Sequence, residues 1–233
     1  MTDTTSRKTA LIVGASRALG LALAGEYLKR GWDVIGTARS GRRTGLHDLA
    51  HSSVARLTVE DLDMTDDGQI TALRERLDGR TLDLLFVNAA ITNGDEPVEA
   101  VATETFIDIM VTNALSPFRV IEKLEDLVAP TGTIGVMSSS QGSISLNTSG
   151  GHEVYRASKS ALNQLMRSYA ARQPGDTRTL LLINPGWVQT ELGGPGAQLT
   201  IEQSIPGVAD TIDRHAGDRG LQFLDYQGKS VSW

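Results

Sequence analysis

Short apolar runs alternate along this chain with longer segments in which apolar residues return every three or four positions. The runs Thr9–Val13, Asp33–Thr37, Val54–Val59, Asp83–Val87, Gly132–Met137 and Arg178–Ile183 are mostly apolar, as parallel strands covered on both faces are. Between them, Leu19–Arg30, Asp66–Leu77, Thr105–Leu127 and Glu153–Arg172 carry the spacing of amphipathic helices. Strand and helix in strict alternation imply right-handed crossovers, hence a doubly wound parallel α/β sheet with helices on both faces, in three layers. No repeat, low-complexity tract or Pro/Ser-rich linker divides the chain, so one domain over residues 8–233 is expected behind a loose tail, 1–7. The breaker cluster Gly193–Gly196 reads as a mobile loop.

Composition narrows the function. A formal charge of −6 argues against a nucleic-acid partner, which requires a basic stripe. No run approaches the roughly 18 apolar residues of a membrane span, and Met1–Thr9 lacks the features of a secretory leader, so a soluble, cytoplasmic protein is expected. Without cysteine, and with four scattered histidines, no metal site is expected. Chemistry is left to hydroxyls, amines, carboxylates or a cofactor.

The first strand runs into GASRALG, Gly14–Gly20, with a helix expected to open at Leu21. Glycines there allow a tight turn whose N–H groups approach a phosphate at the helix N-terminus. Such turns also occur in α/β proteins that bind nothing at that point. At the end of the second strand a carboxylate would hold a ribose 2′-hydroxyl. Arg39 stands there instead, with Arg17 in the turn and Arg42 and Arg43 in reserve, which favours a 2′-phosphate and therefore NADP(H). The alternative is a solvated basic loop.

Tyr155 and Lys159, four residues apart at the start of a helix, share one face. A neighbouring ammonium would favour the phenolate of a tyrosine whose ordinary pKa is about 10, making the pair fit to move a proton at a carbonyl oxygen. The same spacing also serves ordinary helix-surface pairs. Ser138, Ser139 and Ser140 follow an apolar strand, where hydroxyls would face a bound ligand or simply form a turn. Asn88 and Asn113 carry the same two readings.

Taken in order, these segments resemble the classical branch of the short-chain dehydrogenase/reductase family, from about Lys8 to the C-terminus. The likeness implies a Rossmann-type single domain. It assigns Gly14, Ser16, Arg17, Leu19 and Gly20 to the cofactor turn, Asp63 and Met64 to the adenine, and Asn88, Ala89 and Ala90 to the cofactor wall. Pro185, Gly186, Val188 and Thr190 match the segment that contacts the nicotinamide and phosphates. Asn113, Ser139, Tyr155 and Lys159 match the catalytic tetrad, Ser139 being chosen because it stands three before Gly142. In the family, Asn113 fixes a water of the proton relay, and Tyr155 and Lys159 also contact the cofactor. Ala18 replaces a glycine of the turn, Val13 a threonine before it, and Ala90 a further glycine. Ser139 and Tyr155 are 16 apart where many members have 13, which fits a longer loop through 143–151.

The segments Tyr155–Asn163, Pro185–Val188 and Phe223–Lys229 resemble the C-factor and Sniffer-like carbonyl reductases. This implies NADPH-dependent interconversion of a carbonyl and a secondary alcohol, a small-molecule substrate, and a homodimer or homotetramer built on Thr105–Leu127 and the helix from Tyr155. The alternatives are an NADP(H)-binding signalling or redox-sensing protein with little turnover, and a sugar-nucleotide epimerase, for which the chain lacks a substrate domain. The substrate pocket is expected between residues 93–98, 141–153 and 187–199, with a small lid around 190–205; His152 beside Tyr155 either reaches the substrate or, as the favoured reading, stands as a solvated loop residue.

Overall fold

The computed structural model describes residues 7–53 and 55–233. Except for Arg7, the expected tail lies outside the described residues, as does Val54, the first residue of the expected third strand. Among the described residues, seven strands form one sheet: β1 Thr9–Val13, β2 Asp33–Ala38, β3 Leu57–Asp61, β4 Leu82–Val87, β5 Val128–Met137, β6 Thr179–Asn184 and β7 Gly220–Asp225. Their order is β3-β2-β1-β4-β5-β6-β7, and every neighbouring pair is parallel. The chain therefore winds outward from β1 to β3, then returns to β4 and winds the other way. The crevice at the carboxyl ends of β1 and β4 is the switch point at which such sheets take ligands.

Alternation along the strands sorts the core into two layers. Leu11, Val13, Leu85 and Val87 pack with α3 (Asp67–Arg76), α5 (Ser116–Leu124) and α6 (Glu153–Arg172). Ala10, Ile12, Leu84 and Phe86 face α1 (Ala18–Lys29), α2 (Gly45–Ser52) and α7 (Ile201–His215). With period-two side chains covered on both sides, the interior strands read as continuous apolar runs. β3 departs from that expectation: it is the sheet edge, and Thr58 and Asp61 are exposed.

The segment expected as one helix over Thr105–Leu127 is broken. Helix α4 (Thr103–Met110) leads into a π-helical turn, Val111–Leu115, before α5 and a 3₁₀ turn at Glu125–Leu127. Pro117 has no N–H to give the carbonyl four residues earlier, that of Asn113, so the helical ladder is relieved where the π turn lies. Helices α2 and α7 and strand β7 were not expected as elements. Helix α7 opens on a reciprocal capping box, with Gln203 N donating to Thr200 Oγ1 and Thr200 N to Gln203 Oε1. It continues through Pro206 because Ile205, Val208, Ala209 and Ile212 are buried. Among the described residues, no helix is long and apolar enough to cross a membrane.

Candidate active site

A cavity of about 1100 Å³ opens at the carboxyl ends of the strands. The tight turn lines it with Gly14, Ser16, Arg17 and Leu19; further round stand Arg39, Asp63, Met64, Asn88, Ala89 and Ala90. Ser139, Tyr155 and Lys159 form another wall, and Pro185, Gly186, Val188 and Thr190 the side toward α7. Two expected residues, Gly20 and Asn113, do not line it.

Helix α6 turns Tyr155 and Lys159 inward together, both nearly inaccessible to water. Lys159 Nζ lies 5.8 Å from the centroid of the Tyr155 ring and donates a 2.8 Å hydrogen bond to the carbonyl oxygen of Met137 at the end of β5. Burial pushes the Tyr155 hydroxyl up to about 12, opposed by its contact with Ser139. Burial alone lowers Lys159 to about 7. The anticipated lowering of the phenol by the ammonium is thus outweighed by desolvation, and near neutral pH Tyr155 is an acid rather than a phenolate. Of the three serines, Ser138 is committed to Asn163 at 2.6 Å, while Ser139, extended at φ −160°, faces Tyr155 and accepts from Gln141 N at 3.1 Å.

Asn113 lies in the π turn and is wholly buried. Its Oδ1 accepts from Ile91 N at 2.8 Å; its Nδ2 donates to Ile91 O at 2.8 Å and to Ser158 Oγ at 3.0 Å. Both amide hydrogens are therefore occupied, so the side chain has none to give a relay water. It ties the chain leaving β4 to α6. Gly20 is structural for a related reason: a Cβ there would come within 2.1 Å of Gly14 O.

The tight turn has the form of a phosphate cradle. Gly14 at φ +81° leaves no room for a side chain, since a Cβ would meet Ala89 at 2.7 Å, and its N–H is held by Thr37 Oγ1 at 3.0 Å. Helix α1 begins at Ala18 rather than Leu21, which brings its unpaired first-turn N–H groups to the cavity. Ala18 takes φ +47°, the left-handed region that favours glycine. Asn88 Nδ2 donates to Gly14 O at 3.1 Å, and its buried Oδ1 has no partner among the described residues. An orphaned acceptor beside free N–H donors fits a polar, phosphate-bearing ligand.

The cations differ in availability. Arg39 is exposed on the cavity wall and, among the described residues, forms no ion pair. Its charge contributes to holding Asp63 below the usual carboxylate range, after the hydrogen bonds from Thr65. Arg17 pairs with Glu191, joining the turn to the loop after Val188. Arg43 is taken by Asp48 at 2.7 Å, and neither Arg42 nor Arg43 lines the cavity.

Several lining residues were not anticipated, among them Thr37, Thr65, Ile91 and Asp108. His152 also lines the cavity instead of standing in a solvated loop. It caps α6 at φ +48°, with its N–H on Asp95 Oδ1 at 2.6 Å and its Nδ1 2.9 Å from Gly94 O. Residues 93–98 do not line the cavity; they brace that cap, where Glu153 Oε2 accepts from Val98 N at 2.8 Å. The only sequence signal for the brace was the acidic residues of this loop.

Comparison with known proteins agrees with this geometry. Residues 8–198 match the family model described as short chain dehydrogenase. A solved structure of a short-chain dehydrogenase/reductase from Burkholderia multivorans, with bound NADP, is 54% identical with a TM-score of 0.96, covering 98% of this chain and 100% of that one. A carbonyl reductase from Pseudomonas aeruginosa PAO1 in complex with NADP is 36% identical, covers 98% of this chain and 100% of that one, and superposes with a TM-score of 0.91. A 1-hydroxy-2-glutathionyl-2-methyl-3-butene dehydrogenase of Rhodococcus sp. strain AD45 is 31% identical over 232 residues, 97% of this chain and 99% of that protein. The likeness to carbonyl reductases read from the Tyr155–Asn163 segment thus extends over the whole fold. With the family model matched over residues 8–198 and these likenesses spanning nearly the whole chain, the chain belongs to the short-chain dehydrogenase/reductase family.

Proposed function

We propose that this protein is an NADP(H)-dependent oxidoreductase acting on a carbonyl or secondary alcohol, in the manner of a carbonyl reductase. The observation that carries the reading is the meeting of Ser139, Tyr155 and Lys159 on one wall of a cavity whose other end is a phosphate cradle. When bound, NADPH supplies the hydride. Tyr155, a neutral acid in this environment, gives its proton to the carbonyl oxygen, and the Ser139 hydroxyl orients that oxygen. Lys159 holds ribose hydroxyls and, in its protonated form, sets positive charge against the phenolate left behind. Gly14 and the first turn of α1 hold the pyrophosphate, the Asn88 amide oxygen accepts from a ligand hydroxyl on the cofactor wall, Arg39 with Arg17 hold the 2′-phosphate, and Asp63 with Met64 the adenine. Pro185, Gly186, Val188 and Thr190 hold the nicotinamide end.

The loop 190–200 is the part of the 190–205 stretch proposed as a lid, since Ile205 belongs to α7 and packs in the core. Exposed Phe106, Ile107, Leu115 and Leu165 on α4, the π turn and α6 support a homodimer or homotetramer. The test is NADPH oxidation with a panel of aldehydes and ketones, compared between the parent and Tyr155→Phe. The reading expects turnover by the parent and at least a hundredfold loss in the variant; a variant as active as the parent overturns it.

A further inference from the structure

Helix α6 presents a third polar side chain on the face that carries Tyr155 and Lys159. Asn163, one helical turn beyond Lys159, is 4% exposed. Its Oδ1 accepts from Ser138 Oγ at 2.6 Å, and its Nδ2 donates to Gly142 O at 3.2 Å. These partners lie on either side of Ser139 in sequence, one residue before it and three after. Ser139 starts the 3₁₀ turn Ser140–Gly142: its carbonyl accepts from Gly142 N at 2.9 Å, and its hydroxyl accepts from Gln141 N and meets Tyr155. The turn sits directly on the helix, since a Cβ on Gly142 would come within 2.9 Å of both Asn163 Nδ2 and the Lys159 carbonyl carbon. Ser160 Oγ, which also donates to Gly142 O at 3.0 Å, and Lys159 on Met137 O complete the grip of α6 on this chain end.

We infer that Asn163 is a positioning residue, clamping the two sides of Ser139 so that its hydroxyl faces Tyr155. The inference rests on the proposed roles of Ser139, Tyr155 and Lys159. An amide suits the task because it offers an acceptor to the Ser138 hydroxyl and a donor to the Gly142 carbonyl at once. Leucine at 163 has a similar volume and neither group. Alanine at 138 removes the same clamp from its other end while deleting one atom.

The experiment is steady-state reduction of 4-nitrobenzaldehyde, or of the best carbonyl in the panel, by Asn163→Leu, Ser138→Ala and the double variant. Binding of NADPH is measured in parallel by fluorescence. Asn163→Leu is expected to lower kcat about tenfold or more and Ser138→Ala at least threefold, with the NADPH Kd within twofold of the parent. The double variant should be no worse than threefold below Asn163→Leu, since both changes break one clamp. General loosening of the fold would instead weaken NADPH binding together with kcat. A folded Asn163→Leu with kcat within twofold of the parent overturns the inference. Should that variant fail to fold, an unchanged kcat in Ser138→Ala overturns it. If Tyr155→Phe also keeps parental activity, the fault lies in the reading of the site; if only the Asn163 and Ser138 variants do, it lies in this inference.

Discussion

Lys159 Nζ donates a 2.8 Å hydrogen bond to the carbonyl oxygen of Met137, and both residues are buried. One carbonyl partner does not replace the water an ammonium loses, so the charge is held at a disadvantage and the group titrates near 7 instead of 10.5.

This gives stability a definite pH dependence. Between about pH 7 and 10.5 the unfolded chain binds a proton at Lys159 that the folded chain has released. Stability therefore rises with pH across that window and the contribution flattens below it, with a slope of up to about 1.4 kcal/mol per unit. Urea unfolding of the parent and Lys159→Met at about pH 7, 8 and 9 isolates the effect. The parent should gain on the variant at each step, and a constant difference would mean that Lys159 is solvated.

Ala18 opens α1 in a conformation that glycine adopts freely. Left-handed backbone costs an alanine about 1–2 kcal/mol, while glycine costs about 0.4–1 kcal/mol through the freedom it gives the unfolded chain. Ala18→Gly is expected to stabilise the protein by up to about 1 kcal/mol, visible as a Tm higher by about 2–4 °C. Ala18→Val should move Tm the other way. A lower Tm in Ala18→Gly would show that the alanine is not strained.

The two arginines proposed for the 2′-phosphate start from different states. Arg39 is uncommitted, whereas Arg17 must exchange Glu191 for a phosphate oxygen. A charge-assisted hydrogen bond contributes about 1.5–3 kcal/mol, so Arg39→Asp should raise the KM for NADPH by roughly 10- to 100-fold and leave that for NADH little changed. Arg17→Ala should have the somewhat smaller effect, because up to about 1 kcal/mol of the phosphate contact is offset by the exposed ion pair with Glu191 that Arg17 gives up. Equal NADPH preference before and after Arg39→Asp would remove Arg39 from the 2′-phosphate site.

Much of this architecture was legible from local order. Four apolar runs fell within interior strands and a fifth, Arg178–Ile183, began one residue before β6, because both faces of the sheet are covered; Tyr155 and Lys159 were paired by helix spacing alone. Edge strand β3 was shifted in the reading because one side of it meets solvent. Helix α7 hid behind Pro206 and Gly207, although the Thr200–Gln203 capping box marked its start. What long-range packing decides was not legible. Glu191 meets Arg17 across 174 positions, Asn113 spends its amide on Ile91, and Asn163 finds Ser138 and Gly142 only once α6 lies against β5.

The central claim is that hydride reaches a carbonyl carbon while Tyr155 supplies the proton. Reduction of 4-nitrobenzaldehyde, or of the best carbonyl in the panel, with NADPH carrying deuterium at both C4 positions, followed by mass spectrometry of the alcohol, tests it most directly. The parent should yield alcohol with one deuterium on the carbinol carbon, and Tyr155→Phe at equal NADPH occupancy should yield at least a hundredfold less. Alcohol without deuterium, or equal labelled yield from both proteins, would contradict the account.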